Sequence, residues 1–424
     1  MERTIKPAQR LHGVLKVPGD KSISHRALAL GVLAKGKHVI EGLSPVEDVQ
    51  RTAQCMRRLG CFVETMPDGR VLVFSHHLEP EVVLHAGNSG TTARLLAALS
   101  AGLGVTCTVD GDESLRKRPM DRVAEPLSAM GATITLSPGG TLPMSIHGGR
   151  LTGIRYALPV PSAQVKSALL MAGLLASGET TVVERVPTRD HTEILLRAMG
   201  VNVKCEGGAV TVRGGSRVTG TRVAVPGDFS SAAYFLAAAV CLRDSEVYLP
   251  VTGVNPTRTG LVDTLREMGA EIAFENGEDP GGEPVADVYA RSSSLKGVTV
   301  DDPARIAFTI DELPILAVAA TQADGTTRVR GAAALRVKET NRIAAMARNL
   351  TSMGADMQAL PDGFVVRGPT RLKGARVSSF GDHRIAMATT VAALLADGET
   401  VLGDDDVVAV SYPHFFVDLT ALVS

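Results

Sequence analysis

Residues 57–63 read RRLGCFV, and the same phrase returns as SAMGATI (128–134), RAMGVNV (197–203), REMGAEI (266–272) and TSMGADM (351–357). Each reads as the last turn of a helix, a glycine that closes it in the left-handed conformation, and the start of an apolar strand. The glycines, Gly60, Gly131, Gly200, Gly269 and Gly354, recur at intervals of 69 to 85 residues. A fixed period of this kind marks internal repeats. A second series interleaves with the first. A polar stretch leads an Ala/Leu-rich helix at DKSISHRALAL (20–30), GNSGTTARLLAAL (87–99), SAQVKSALLMAGLL (162–175), GDFSSAAYFLAAAV (227–240), DELPILAVAA (311–320) and GDHRIAMATTVAALL (381–395). Small apolar residues all round predict helices buried on every side. Several are followed by a Gly-containing turn and a β-branched strand, as in SGETTVVE (177–184), DGTTRVR (324–330) and DGETVLG (397–403). The expectation is an α/β protein of six units, each with two helices and several short strands, the last copy truncated.

Val17-Pro18-Gly19-Asp20 recurs as Val225-Pro226-Gly227-Asp228, each time just before a helix of the second series. Pro-Gly marks a turn or crossover. This predicts two domains, residues 1–17 with 228–424 and residues 18–227, with an active site in the cleft between them.

At 424 residues the chain is too long for one ordinary core. A net charge of −1, no Trp and 4% aromatic residues argue against a nucleic-acid or anionic-membrane surface. Five scattered cysteines without a C-x-x-C pair argue against a disulfide framework or a zinc site. No apolar run approaches the length of a membrane span, and MERTIKPAQR lacks a signal-peptide core. A cytoplasmic protein is expected. The P-loop, G-x-G-x-x-G and H-E-x-x-H signatures do not occur, and Gly87-Asn88-Ser89-Gly90-Thr91 departs from a nucleophile elbow at its last position.

What remains is charge at helix starts. Lys21, Ser22 and Arg26 open the first Ala-rich helix, where a cation opposes the helix dipole and so suggests an incoming anion. Arg116-Lys117-Arg118 precede Pro119, which suits the first position of a helix. In LRVKETNR (335–342), Lys338 and Arg342 stand at i, i+4, the spacing of one helical face. Arg384 follows Gly381-Asp382-His383, and Asp311-Glu312 head another helix. Cations of this number suit a substrate with several phosphates or carboxylates, and Asp311 and Glu339 among them could move a proton.

PGDKSISHRA, GNSGTTARL, RKRPM, PSAQVKSALLMAGL, RDHTE, GDFSSAAYFLAAA, DELPILA, LRVKETNR and GDHRIAMA occur in this order along the chain. In these segments the sequence resembles the 5-enolpyruvylshikimate-3-phosphate (EPSP) synthase family of enolpyruvyl transferases, over essentially its whole length. The resemblance implies two domains of three βαβαββ repeats, an inside-out α/β barrel arrangement. It implies transfer of the enolpyruvyl group of phosphoenolpyruvate to the 5-hydroxyl of shikimate 3-phosphate, with no cofactor or metal, in a monomer whose partners are these small molecules. It implies Asp311, Glu339, Lys21 and Lys338 as catalytic. Shikimate 3-phosphate would meet Lys21, Ser22, Arg26, Ser162, Ala163, Gln164, Thr188, Asp311 and Lys338. Phosphoenolpyruvate would meet Lys21, Asn88, Gly90, Arg118, Gln164, Arg342 and Arg384, and the phosphoenolpyruvate-like herbicide glyphosate would compete there. The chain departs from some members at Ala334, at Val410 or Ser411, and at Ser162-Ala163-Gln164. Two alternatives stand beside this reading. One is the sister transferase acting on UDP-N-acetylglucosamine, which carries Lys-Asn where this chain has Lys21-Ser22 and a reactive Cys in a loop that here reads GDESLRKRP. The other is a non-catalytic scaffold of repeats binding a phosphorylated metabolite.

Overall fold

All five repeat glycines lie in the left-handed region of the computed structural model, with φ of 91° at Gly60, 112° at Gly131, 81° at Gly200, 101° at Gly269 and 91° at Gly354. The structure describes residues 2–278 and 282–423. At Gly131 the N–H reaches the carbonyl of Ser128 and the next N–H, of Ala132, reaches that of Leu127; Gly200, Gly269 and Gly354 close their helices by the same pair of bonds. Only a residue without Cβ adopts this closure at no steric cost, which is why the period is written in glycine.

The described residues form six small sheets. In the sheet of Glu81–His85, Thr106–Asp110, Thr141–His147 and Thr133–Ser137, the first two strands are parallel and the others antiparallel. The sheets built on Arg155–Ala157 and on Thr299–Val300 repeat that order. A parallel pair joined through a helix, then a second helix and an antiparallel hairpin, is the βαβαββ unit.

The chain divides into two compact units, Met1–Pro18 with Pro226–Asp279 and Pro284–Ser424, and Gly19–Val225 with Pro280–Glu283. At each crossover a strand and the helix that follows it part company. His12–Val14 pairs with Glu246–Gly253, whereas Arg222–Ala224 pairs with His38–Glu41. The truncated last repeat, Arg376–Ser378 and Thr400–Gly403, takes its third strand from Glu2–Ile5. Each unit therefore finishes its repeats with strands taken from distant parts of the chain.

Each unit has its own core. Helices Phe229–Cys241, Leu313–Thr321 and His383–Leu394 pack on one another in the first, and every residue of His383–Leu394 is buried. Helices Lys21–Leu33, Gly90–Leu103 and Ala163–Leu175 lie in the second. Alanine dominates because near-complete burial on all sides leaves little room between helix axes.

Gly19 shows why the crossover needs glycine. A Cβ there would stand 2.0 Å from the carbonyl oxygen of Gly42, a backbone atom that cannot step aside. Gly19→Ala is expected to lose about 1–3 kcal/mol of unfolding free energy, read as a lower urea midpoint at unchanged slope. An unchanged midpoint would show that the chain relaxes around the methyl group.

Candidate active site

In the unit of residues 19–225, the side chain of Asp20 caps the helix Lys21–Leu33 by accepting the N–H of Ile23 at 2.8 Å. Lys21 is the first helical residue, and its Nζ lies 3.0 Å from Oδ2 of Asp48, in the first turn of the helix Glu47–Arg58. These two carboxylates offset a cation that the helix dipole disfavours. Both Lys21 and Asp48 retain some exposure, 20% and 14% of their side chains, so a solvent-borne anion can compete for the ammonium.

Arg26 is 2% exposed, and among the described residues its hydrogen bonds go to neutral oxygens. Its Nε donates to Ser167 Oγ at 3.1 Å and Thr192 Oγ1 at 3.0 Å, Nη1 donates to the Ser22 carbonyl at 2.9 Å and Nη2 to that of Ala163 at 3.4 Å. Burial lowers it to about 10. A buried guanidinium served by neutral oxygens alone is costly unless charge balance comes from further away or from a ligand.

Gln164 is fixed from both sides. Its Oε1 accepts from Arg94 Nη1 at 2.7 Å, and its Nε2 donates to Thr91 Oγ1 at 2.8 Å. The same Arg94 Nη1 donates to the Gly90 carbonyl at 3.2 Å. Arg118 donates to the Asn88 side chain. Ser162 Oγ caps the helix Ala163–Leu175 by accepting the Val165 N–H at 3.3 Å, which leaves its O–H as a donor. Thr188 lies deeper, 8% exposed, and its hydroxyl donates to Glu184.

Beneath these groups Lys166, 1% exposed, meets Glu184 at 2.8 Å, Glu193 at 2.7 Å and the Thr188 carbonyl at 3.2 Å. Burial alone would lower the Lys166 pKa, but the two carboxylates outweigh it and hold it above the usual lysine range. Burial raises that of Glu193.

The other unit holds the expected acids. Asp311 is 8% exposed, and its Oδ1 lies 3.3 Å from Lys338 Nζ and 3.3 Å from Arg342 Nη1, while Oδ2 lies 3.8 Å from Arg384 Nη2. Three cations thus converge on this one carboxylate. Arg342 is 2% exposed and donates to Glu339 Oε2 at 2.6 Å and to Asp382 at 2.7 and 3.4 Å. Burial works against its charge, but Asp382 and Glu339 more than compensate and raise its pKa. Asp382, fully buried, also caps the helix His383–Leu394 through the Arg384 N–H at 2.8 Å. One carboxylate thus ties together the Arg342 side chain and the Arg384 backbone.

Two local readings are corrected. The helix after Arg118 starts at Asp121, so Pro119 is not its first residue. Lys338 is not on a helix with Arg342. A 3₁₀ turn ends at Val337, Lys338 is extended, and Asn341 caps a new helix, Arg342–Ser352. The Asn341 side chain, accepting the Ala344 N–H at 3.2 Å, competes with helix continuation. The two cations converge through Asp311 instead.

Asp48, Arg94, Lys166, Glu184, Glu193, Glu312 and Asp382 are absent from the residues singled out as substrate or catalytic groups. Arg94 and Lys166 carried a signal, since charges inside helices written as buried on all sides must find partners. Cys107 is 2% exposed and burial raises its thiol, so it offers no reactive thiolate. Among the described residues no cluster of three His, Cys, Asp or Glu side chains could hold a metal, and no helix is long and apolar enough to cross a membrane.

Two units of βαβαββ repeats, carrying buried arginines that converge on a few acids, define an α/β protein of the enolpyruvyl transferase fold. The profile of EPSP synthase (3-phosphoshikimate 1-carboxyvinyltransferase) matches residues 5–419, and the chain belongs to that family. It is 49% identical over 428 residues to the 3-phosphoshikimate 1-carboxyvinyltransferase of Desulforudis audaxviator, covering 100% of this chain and 99% of the relative. It is 50% identical over 422 residues to that of Gloeobacter violaceus, covering 98% of each. The EPSP synthase structure from Acinetobacter baumannii superposes with a TM-score of 0.89 at 41% identity, over 100% of this chain and 98% of that one. The enolpyruvyl transferase NikO from Streptomyces tendae, at 20% identity, 99% and 96% coverage and a TM-score of 0.78, shares the fold.

Proposed function

We propose that this protein is a 3-phosphoshikimate 1-carboxyvinyltransferase, forming a bond between the 5-hydroxyl oxygen of shikimate 3-phosphate and C2 of phosphoenolpyruvate. The family match over residues 5–419 carries the reading, and the cluster of Asp311, Lys338, Arg342 and Arg384 supports it chemically. Asp311 takes the hydroxyl proton, and Glu339 gives a proton to C3, producing a tetrahedral intermediate. Loss of that C3 proton with departure of inorganic phosphate yields the enol ether. Lys21 and Lys338 steady the charge that moves during both steps.

Arg342, Arg384, Arg118, Lys21, Asn88, Gln164 and the Gly90 backbone hold phosphoenolpyruvate, while Lys21, Ser22, Arg26, Ser162, Ala163, Gln164, Thr188, Asp311 and Lys338 hold shikimate 3-phosphate.

The test is inorganic phosphate released from phosphoenolpyruvate, with shikimate 3-phosphate supplied or omitted and UDP-N-acetylglucosamine as the rival acceptor. Release is expected only with shikimate 3-phosphate, and Lys21→Ala should lower it by ~10²-fold or more at unchanged thermal stability. Release with the nucleotide sugar alone would move the protein to the sister activity. Substrate binding without release would make it a scaffold.

A further inference from the structure

Glu312 follows the acid proposed as base, and its carboxylate reaches the cluster around Asp311 through Arg384. It is 2% exposed and caps no backbone N–H of the helix Leu313–Thr321 that it precedes. Its Oε1 accepts from the Ser230 hydroxyl and from Arg384 Nη1 at 3.4 Å. Ser230 Oγ in turn accepts from Arg258 Nη2 at 2.7 Å, and Arg258 is itself 3% exposed. A buried carboxylate is unfavourable unless charge and hydrogen bonds compensate it, and here the contacts run in a defined order: Arg258, Ser230, Glu312, Arg384.

Arg384 stands between two acids. Nη1 donates to the Asp311 carbonyl at 3.2 Å and to Glu312, while Nη2 remains 3.8 Å from Oδ2 of Asp311, beyond hydrogen-bond length. Its backbone is already fixed by the Asp382 cap, so the guanidinium has only its side-chain torsions left to set. The Glu312 contact opposes rotation toward the Asp311 carboxylate.

We infer that Glu312 is a positioning residue, held by Ser230 and Arg258, which keeps the Arg384 guanidinium from closing to hydrogen-bond distance of the Asp311 carboxylate and presented to the carboxylate or phosphate of phosphoenolpyruvate. This rests on the reaction proposed above. With Glu312 neutral, Arg384 closes onto Asp311, and an incoming anion must break that pair before it binds.

The experiment is initial-rate kinetics of the wild type, Glu312→Gln and Glu312→Asp, varying each substrate in turn, with thermal unfolding of all three. Glu312→Gln keeps the side-chain volume and an acceptor for Ser230. It is expected to raise KM for phosphoenolpyruvate fivefold or more while KM for shikimate 3-phosphate stays within twofold. Glu312→Asp, which keeps the charge, should recover part of that loss. Ser230→Ala leaves Glu312 charged but unanchored and should raise the same KM by a smaller factor, which keeps the inference testable if Glu312→Gln does not fold. The inference is overturned if an active wild type gives variants with unchanged KM for phosphoenolpyruvate, or variants in which both KM values rise together, as general loosening would produce. A folded wild type that releases no phosphate overturns the proposed reaction, and this inference with it.

Discussion

Arg342→Ala is expected to abolish phosphate release, by ~10³-fold or more, and to cost about 3–5 kcal/mol of stability at the same time. The two losses share one cause. Arg342 is 2% exposed and answers three carboxylates, Asp382 at 2.7 Å, Glu339 at 2.6 Å and Asp311 at 3.3 Å. Alanine leaves Asp382, fully buried, facing a cavity with no counter-charge from that side. It also removes the Arg342 contact of Glu339 and one of the cations on Asp311, so the acid and the base of the proposed reaction both lose part of their setting. Arg342→Lys separates the effects. A lysine keeps the charge but cannot fork a carboxylate, so it should restore part of the stability while phosphate release stays low. Activity assayed well below the midpoint of each variant, with circular dichroism to confirm folding, checks this. An Arg342→Ala variant as stable as wild type would show that Asp382 finds another partner.

Lys166→Met is expected to be the most destabilising change in the unit of residues 19–225, about 3–5 kcal/mol at pH 8. Methionine fills the volume but leaves Glu184 and Glu193 facing each other where the side chains are 7% and 3% exposed. The pH dependence has a defined sign. In the wild type the Lys166 pKa is raised, so its contribution is complete below the ordinary lysine value and is lost as the pH climbs through the raised one. The pKa of Glu193 is raised by burial, and removing the ammonium takes away the interaction that opposes this. A carboxyl raised in the folded state favours folding below its unfolded value and loses that contribution as the pH rises. The deficit of Lys166→Met relative to wild type should therefore be largest at pH 8 and shrink toward pH 5, as read from urea midpoints at the two values. A deficit independent of pH would mean that lost packing, rather than the stranded carboxylates, accounts for it.

Much of the fold was legible because it is written in local chemistry. Gly60, Gly131, Gly200, Gly269 and Gly354 announce helix ends, since only glycine enters that backbone region freely. Polar stretches announce the starts of the Ala-rich helices, and the structure shows why at Asp20 and Ser162, whose side chains bond the free N–H groups. Local rules failed where two of them competed. LRVKETNR has the spacing of one helical face, yet the Asn341 cap and the extended Lys338 split it. Pro119 suits a first helical turn, yet the chain makes a 3₁₀ turn before it and a helix two residues after.

The period and the identity of the charged groups at helix starts follow from residue order, because caps, turns and burial patterns act over a few residues. The partner of each buried charge does not. Arg342 and Asp382 are 40 residues apart, Ser230 and Glu312 are 82, and Arg26 and Thr192 are 166. Which carboxylate a given guanidinium meets depends on how helices from different repeats pack in one core. In that low-dielectric setting the choice of partner decides both stability and the direction in which the side chain is left to act.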